Sequence, residues 1–185
     1  MIYESLEGFF NWQFLYDEMV DLAKDGDFIV EIGTWEGRSA VYLAEKIKES
    51  GKMVKVLCFD PYVYGLLGNQ SDANEFHRLE KLRRVVEANG LSNILFNIIC
   101  KSDNMTSIIS ALAPKRRVIG IFIDGDHSYK QVKKDIGNSD ILISEGGILA
   151  GHDYKEGEWQ GVVDAVDEYF GDEKEIVDNI WIVRM

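Results

Sequence analysis

The chain has few of the residues that mark secreted, disordered or membrane-spanning proteins. It contains only two cysteines and two prolines among 185 residues, too few for a disulfide scaffold or a proline-rich disordered segment. The stretch MIYESLEGFF has acidic residues where a signal peptide needs lysine or arginine, and no apolar run approaches the length that spans a bilayer. We therefore expect a soluble, cytoplasmic protein whose two thiols are reduced.

Positive charge is also scarce. Twenty lysines and arginines face 32 aspartates and glutamates, which gives a net charge of −12. Nucleic-acid binding needs basic side chains that neutralise phosphates, so this balance argues against a DNA or RNA surface. One basic run, HRLEKLRR over 77–84, is typical of the solvated face of a helix, although it would also suit a phosphate-bearing substrate. The expected partner is a small molecule.

Segments with strand and helix periodicity alternate along the chain. The alternation predicts one α/β domain over 1–185, doubly wound and Rossmann-like, with helices on both faces of a mostly parallel seven-stranded sheet and residues 1–26 as a helical lead-in. The tail predicts an antiparallel hairpin around Asp178–Asn179. The predicted helices cover 9–24, 37–49, 72–89, 103–113, 128–138 and 160–170, and the first five strands cover 27–33, 54–60, 94–100, 118–124 and 147–153.

Polar, chemically active side chains follow each of the first five predicted strands. Ligands of doubly wound sheets bind outside the carboxyl ends of the strands, so these side chains should meet at one edge. They are Glu31, Asp60, Ser102 with Asp103, Asp124, and His152 with Asp153. Five such endings in register favour a ligand site over a set of ordinary polar loops.

The first of these endings, VEIGTWEGRSA, is a glycine loop that leads into a helix. It lacks the middle glycine of the dinucleotide pattern, Trp35 would crowd a diphosphate, and Glu31 would repel one but suits an ammonium group. Asp60 is placed to bind ribose hydroxyls. A ligand with an ammonium, a carboxylate and a ribose but no phosphate is S-adenosylmethionine. The alternative is a tight turn whose glycines, Gly33 and Gly37, only relieve steric crowding.

Four motifs carry a resemblance to a known family. EIGTWEGRS and FDPY resemble two motifs of class I S-adenosylmethionine-dependent methyltransferases. IDGDHSY with GHDY resembles more specifically the small metal-dependent O-methyltransferases related to the sugar O-methyltransferases of macrolide and aminocoumarin biosynthesis. The resemblance extends from about residue 10 to the carboxyl terminus.

The resemblance implies a role for each of these positions. Glu31, Gly33 and Gly37 would hold the methionine end of the cofactor, and Ser39 its carboxylate. Asp60 would bind the ribose, and Ser102 with Asp103 would bind the adenine. The full set of cofactor-binding residues is Glu31, Gly33, Thr34, Trp35, Gly37, Ser39, Asp60, Ser102, Asp103 and Asp124.

The resemblance further implies a metal site and a base. Asp124, His152 and Asp153 would hold a divalent ion, with Mg²⁺ expected, although His152 stands where relatives often have a carboxylate and could admit a softer ion. The metal would lower the pKa of an acceptor hydroxyl, and His127 would take its proton, so that His127 and Asp124 are the catalytic pair. The alternatives are a helix cap for Asp124 and a surface turn for His127. Asp126 is interpreted as a cap.

The predicted function is O-methylation of a small hydroxylated acceptor, either a sugar or a catechol-like ring. Tyr62, Tyr64 and Trp159 are candidates for the acceptor pocket, or for a subunit contact. One alternative is a metal-independent methyltransferase in which His127 alone is the base. Another is a cofactor-binding protein without activity. A homodimer is the default expectation for its assembly.

Overall fold

The computed structural model of the chain describes residues 2–62, 72–112 and 116–185, with the side chains of 72–76 left aside. Short 3₁₀ helices occupy Ile2–Ser5, Ser102–Asn104 and Gly171–Glu173. The strands are β1 Phe28–Ile32, β2 Lys55–Phe59, β3 Leu95–Ile98, β4 Val118–Ile123, β5 Ile143–Gly151, β6 Glu175–Val177 and β7 Ile180–Arg184. The helices are α1 Gln13–Leu22, α2 Arg38–Ser50, α3 Asp72–Ala88, α4 Met105–Leu112, α5 Tyr129–Leu142 and α6 Gln160–Phe170.

The strands form one seven-stranded sheet in the order β3-β2-β1-β4-β5-β7-β6. The first five strands are parallel, and β7 runs antiparallel to both β5 and β6. The strand order reverses between β1 and β4, which is where doubly wound sheets open a crevice for ligands. The predicted fold class, including the antiparallel carboxyl-terminal hairpin, is confirmed.

The sheet is buried because both of its faces are covered by helices. All five residues of β1 and all six of β4 are buried, as expected for central strands of a parallel sheet. Apolar side chains of α1, α2 and α3 form one core against the sheet, and those of α4, α5 and α6 form the other. The residues that end the strands are therefore attached to the buried centre of the domain.

The region before α1 differs from the helix predicted over 9–24. Gly8 has a φ of 130°, and the chain stays irregular as far as Trp12, so the helix begins only at Gln13. Phe10 and Trp12 are buried in the core from this irregular stretch. The apolar residues of this stretch have the sequence spacing of a helix, but their backbone is irregular where they pack into the core.

The amino-terminal segment, which we define as residues 2–12, is fixed to the cofactor-loop side of the domain. The backbone N–H groups of Ile2 and Tyr3 donate to the Glu45 carboxylate at 3.0 to 3.2 Å. The Arg38 guanidinium donates to the carbonyl oxygen of Gly8 at 2.8 Å. The segment therefore runs along α2, from Glu45 in the middle of the helix to Arg38 at its start, next to the glycine loop.

The connection between α5 and β5 also differs from the prediction. Helix α5 continues to Leu142 and β5 starts at the next residue, four positions before the predicted strand. Gly146 therefore lies within β5 and not before it, in a part of the strand where the pairing with β4 changes register between Val118 and Gly120. The glycine accommodates an irregularity inside the strand.

Among the residues that the structure describes, no helix combines the length and the apolar character needed to cross a bilayer.

Candidate cofactor and acid-imidazole site

The glycine loop after β1 has a backbone that only glycine can supply. Gly33 has a φ of 84°, and a Cβ added there would lie 1.9 Å from the carbonyl oxygen of Asp124. Gly37 has a φ of 80°, and its added Cβ would lie 2.5 Å from the Leu82 side chain. The loop thus follows β1 into α2 in close contact with the end of β4.

Glu31, at the end of β1, is a buried carboxylate with one free oxygen. Its Oε2 accepts a hydrogen bond of 2.6 Å from the Tyr16 hydroxyl. Its Oε1 has no hydrogen-bond partner among the described residues. Burial raises the pKa of Glu31 to about 8, although the nearby Tyr16 and Ser39 hydroxyls oppose that shift. A cationic ligand beside Oε1 would satisfy the oxygen and restore the ionised form.

Asp60, at the end of β2, holds the loop together. Its Oδ2 accepts hydrogen bonds from the backbone N–H groups of Thr34 and Trp35 at 2.9 and 3.0 Å. Its Oδ1 accepts the N–H of Tyr62 at 2.7 Å. Asp60 is buried, so in the structure it organises the glycine loop. Oδ1, which accepts a single N–H, keeps a further lone pair for a hydroxyl.

Trp35 and Glu36, at the tip of the loop, contact the basic helix α3. The Trp35 ring is exposed, and the Arg78 guanidinium lies 5.3 Å from its centroid. The buried Glu36 carboxylate accepts a hydrogen bond of 2.9 Å from Lys81 Nζ and a longer one, 3.3 Å, from the backbone N–H of Glu7. At these positions the basic run faces the loop, so its interpretation as a solvated helix face is wrong there.

Ser102 and Asp103 lie in the 3₁₀ turn after β3 and are joined to α5. Nε2 of Gln131 lies 3.2 Å from Ser102 Oγ and from Asp103 Oδ1, and 3.0 Å from Asp135 Oδ1. Lys134 Nζ also pairs with Asp103 at 2.8 Å. Ser39, the second residue of α2, is half-buried beside Glu31. The predicted cofactor residues therefore share the carboxyl edge of the sheet.

Asp124, His152 and Asp153 bring their side chains together at the ends of β4 and β5. One ligand atom from each lies within 4.8 Å of the others. Nδ1 of His152 is 3.1 Å from Asp153 Oδ1 and 3.7 Å from Asp124 Oδ1. Asp153 has a φ of 60°, an unusual left-handed conformation that turns the chain sharply after β5. We call these three residues the acid-imidazole cluster.

His127 joins the cluster through Asp153. Its Nε2 lies 2.6 Å from Asp153 Oδ2, and its ring stacks on that of Trp159 with a centroid distance of 4.2 Å. The neighbouring Asp126 accepts a hydrogen bond from the backbone N–H of Ser128 at 2.8 Å, next to the start of α5. The N-cap residue of α5 is Ser128, so Asp126 closes a turn just before the helix and its interpretation as the helix cap is wrong. His127 is not a solvated turn residue.

The carboxylates of the cluster have opposite pKa shifts. Desolvation raises the pKa of Asp124 to about 6, against the opposing charge of His152. Burial alone would also raise the pKa of Asp153, but hydrogen bonds from His127 and His152 lower it well below its usual value. The hydrogen bond to Asp153 in turn raises the pKa of His127. Asp153 is therefore the permanent anion of the cluster, and the two imidazoles share it.

Comparisons with known proteins place this arrangement in a family. Residues 30–154 match the family model described as a methyltransferase domain. The chain belongs to the methyltransferase domain family. The predicted relationship to methyltransferases is thereby confirmed. No curated protein sequence matches the chain.

Solved methyltransferase structures share the fold at low sequence identity. The chain is similar to the calicheamicin methyltransferase CalS11, with 15% identity and a TM-score of 0.70 over 93% of this chain and 77% of that one. It is similar to the O-methyltransferase NovP, with 20% identity and a TM-score of 0.66 over 94% and 78%. A Bacillus cereus O-methyltransferase in complex with SAH has 15% identity and a TM-score of 0.64 over 94% and 78%.

The donor set of this methyltransferase domain fits a divalent ion. Two carboxylates and one imidazole nitrogen converge within 4.8 Å, which is a common set of ligands for such ions. Asp153 Oδ2 is directed to His127, while its Oδ1 faces His152. Asp124 and Asp153 therefore each retain an oxygen on the side that the imidazole of His152 faces.

Trp12 and Phe9, which the sequence did not predict, and Trp159, a predicted pocket residue, contact the histidines of this methyltransferase domain. The His152 ring is buried, and the ring centroids of Trp12 and Phe9 lie 4.8 and 5.6 Å from its own. Phe9 is 66% exposed, an unusual exposure for a phenylalanine. A cavity of about 430 Å³ lies beside His127 and is also lined by Asp126 and Trp159. Tyr64 lies outside the described residues.

Proposed function

We propose that this chain is an S-adenosylmethionine-dependent O-methyltransferase that acts on a small hydroxylated acceptor, a sugar or a catechol-like ring, with the help of a divalent ion. The observation that carries the proposal is the contact between Gly33 and Asp124. A Cβ at Gly33 would meet the Asp124 carbonyl oxygen at 1.9 Å, so the glycine loop and the acid-imidazole cluster adjoin each other. A cofactor seated on the loop has its reactive end beside the cluster. A cytoplasmic homodimer is part of the same proposal.

The loop supplies what S-adenosylmethionine needs at its amino-acid end. Within the part of the chain that the structure describes, Glu31 Oε1 is a buried acceptor that forms no hydrogen bond, and it would receive the ammonium group. The first turn of α2, with Ser39 and free backbone N–H groups, suits the carboxylate. Asp60 and the Ser102–Asp103 turn are proposed for ribose and adenine. The SAH complex of the B. cereus neighbour supports this choice of cofactor.

His127 is the proposed general base. Asp153 accepts from His127 Nε2 at 2.6 Å, which orients the ring and leaves Nδ1 as the nitrogen that can take a proton. In other Asp-His pairs, too, the carboxylate orients the imidazole and stabilises its charged form. Stacking on Trp159 fixes the plane of the ring.

Asp124, His152 and Asp153 are the proposed holders of the divalent ion, with Mg²⁺ expected and a softer ion allowed by His152. Such an ion supplies a lowered pKa to an acceptor hydroxyl and fixes its orientation. Phe9 on one side and Trp159 on the other offer apolar faces to a ring-shaped acceptor. Both features support an acceptor that is cyclic and carries a hydroxyl.

Calorimetric titration with S-adenosylhomocysteine tests the cofactor assignment, with NAD as the competitor class. We expect heat from S-adenosylhomocysteine and none from NAD, and loss of binding in Gly33→Ala. Tight NAD binding without any response to S-adenosylhomocysteine would overturn the proposal.

A mass-shift screen tests the reaction. Sugars, catechols and other hydroxylated metabolites are incubated with the protein, S-adenosylmethionine and Mg²⁺, and products are examined for one added methyl group. Activity should be lost in excess EDTA and restored by Mg²⁺. His127→Ala should cost about a hundredfold to ten-thousandfold near neutral pH, with partial recovery at high pH where hydroxide competes. Wild-type turnover in this variant at every pH would leave activation to the metal alone.

A metal-independent methyltransferase is the second candidate, and one observation favours it. Asp153 is already satisfied by two imidazoles, His127 at 2.6 Å and His152 at 3.1 Å. His127 can act as a base from this arrangement without further help. Full activity in excess EDTA would decide for this candidate.

A further inference from the structure

The turn of the carboxyl-terminal hairpin reaches the acid-imidazole cluster. Strand β7 runs antiparallel to β5, with Trp181 opposite Gly151, so the start of β7 lies at the edge where the parallel strands end. Asp178 has a φ of 56°, which closes a two-residue turn between β6 and β7. Asn179, the second residue of the turn, is thereby placed beside His152.

Asn179 is held in this place through its main chain and contacts His152 through its side chain. Its carbonyl oxygen accepts the backbone N–H of Tyr154 at 2.9 Å. Its carboxamide nitrogen Nδ2 lies 2.9 Å from Nε2 of His152. The rings of Trp12 and Phe9 pack beside the His152 ring. One ring nitrogen thus faces Asn179 and the other, Nδ1, faces the carboxylates.

A neutral imidazole carries a proton on one nitrogen and a lone pair on the other. When the NH₂ group of Asn179 donates to Nε2, the proton is on Nδ1 and is donated to Asp153. When the amide rotates and its oxygen accepts from Nε2–H, the lone pair is on Nδ1 and points between Asp124 and Asp153. In the first state His152 is a hydrogen-bond donor, and in the second it is a metal ligand.

We propose that Asn179 is a positioning residue whose carboxamide orientation determines whether His152 donates a hydrogen bond to Asp153 or binds a divalent ion through Nδ1. The proposal rests on the metal site of the proposed function. A hydrogen-bond partner on the far nitrogen commonly fixes the tautomer of a ligating histidine. A carboxamide differs from the usual carboxylate partner because it can serve both tautomers, so Asn179 lets one ring occupy either state.

The test reads the His152 tautomer directly by ¹⁵N NMR of the imidazole nitrogens, with and without Zn²⁺. In the wild type we expect Nδ1–H without metal and Nε2–H with Zn²⁺. Asn179→Asp offers only acceptors, so it should hold Nε2–H before metal is added and raise Zn²⁺ affinity about tenfold. Asn179→Ala should lower that affinity by about tenfold to a hundredfold. Unchanged circular dichroism establishes that the variants are folded.

Two controls make the result specific. Asn93→Asp adds the same charge at an exposed position before β3, on the opposite edge of the sheet, and should change neither the tautomer nor the affinity. Asp124→Asn should abolish the Zn²⁺-dependent change, which assigns it to the cluster. The proposal is overturned if both Asn179 variants keep the wild-type tautomer and Zn²⁺ affinity. The NMR and Zn²⁺ measurements need no methyl acceptor. If they give the expected result while the methylation screen fails, the proposed function is refuted and the role of Asn179 stands.

Discussion

The cofactor half and the acid-imidazole half of the site differ in whether backbone or side chains form them. The cofactor half is mainly backbone: Gly33 and Gly37 have positive φ angles, and Asp60 accepts three backbone N–H groups. The acid-imidazole half is mainly side chains, with Asp153 shared by His127 and His152 and His152 supported by Asn179. Backbone shape tolerates few substitutions, whereas a network of side chains can be changed one contact at a time. The two halves should therefore fail in different ways.

The largest effect is expected from Asp153→Asn, which affects only the acid-imidazole half. The substitution removes the charge that both imidazoles share, so methyl transfer to an acceptor found by the screen should fall by about a hundredfold to ten-thousandfold. The affinity for S-adenosylhomocysteine should change only a few-fold, as measured by calorimetry. Asp126→Asn is the matched control, because Asp126 accepts the Ser128 N–H and should affect stability alone. Equal losses of activity and cofactor affinity would contradict the separation of the halves.

Gly33→Ala should damage the cofactor half through the backbone. The new Cβ would meet the Asp124 carbonyl oxygen and Gly33 has a positive φ, so we expect a loss of about 3 kcal/mol in the free energy of unfolding by urea. Gly51→Ala is the control, because Gly51 has a φ of 70° with nothing within 4 Å of an added Cβ. It should lose only about 1 kcal/mol. Similar losses in the two variants would show that the contact with Asp124 costs nothing.

Glu31→Gln should weaken cofactor binding about tenfold, and the pH dependence identifies the cause. The pKa of Glu31 is raised to about 8, so an ammonium ligand must displace its proton. Calorimetry in buffers of different ionisation enthalpy measures the protons released when the ligand binds. We expect the wild type to release about one proton at pH 6 and about half a proton at pH 8. The variant should release none from this site. Proton release that does not differ between wild type and variant would argue against this pairing.

The same raised pKa determines how the unliganded protein responds to pH. The folded state holds the Glu31 proton more tightly than the unfolded chain does. The contribution of Glu31 to stability is therefore complete below the ordinary pKa of 4.5 and is lost as the pH rises towards about 8. Bound S-adenosylhomocysteine should remove this loss, which thermal unfolding with and without the ligand would measure.

The smallest effect is expected from Lys81→Met, at the contact between α3 and the loop. Lys81 is partly exposed, so loss of its 2.9 Å pair with Glu36 should cost less than about 1 kcal/mol in urea unfolding. Arg84→Met in the same helix removes a fully solvated pair with Glu80 and should cost nothing measurable. A cost well above 1 kcal/mol for Lys81→Met would mean that the basic helix contributes more to the loop than its exposure indicates.

The sequence predicted the fold, and it named residues that the structure brings to one edge of the sheet, because those signals are local. Strand–helix alternation follows from apolar periodicity, and the glycine loop and the GHDY motif are continuous stretches. Tyr16, Phe9 and Asn179 were missed because their contacts join distant segments, as the 15-residue separation of Tyr16 and Glu31 illustrates. Tyr16 also has the spacing of an ordinary core residue in α1. The start of α1 was misplaced for a related reason, since Phe10 and Trp12 pack in the core without being helical.

The surroundings of His152 have a consequence for how the protein is made. The ring touches Phe9 and Trp12 from one end of the chain and Asn179 from the other. During synthesis the first two emerge from the ribosome long before the third. The environment of His152 is complete only when β7 has been inserted beside β5. A product truncated before the hairpin would therefore hold the glycine loop but would lack Asn179 beside His152.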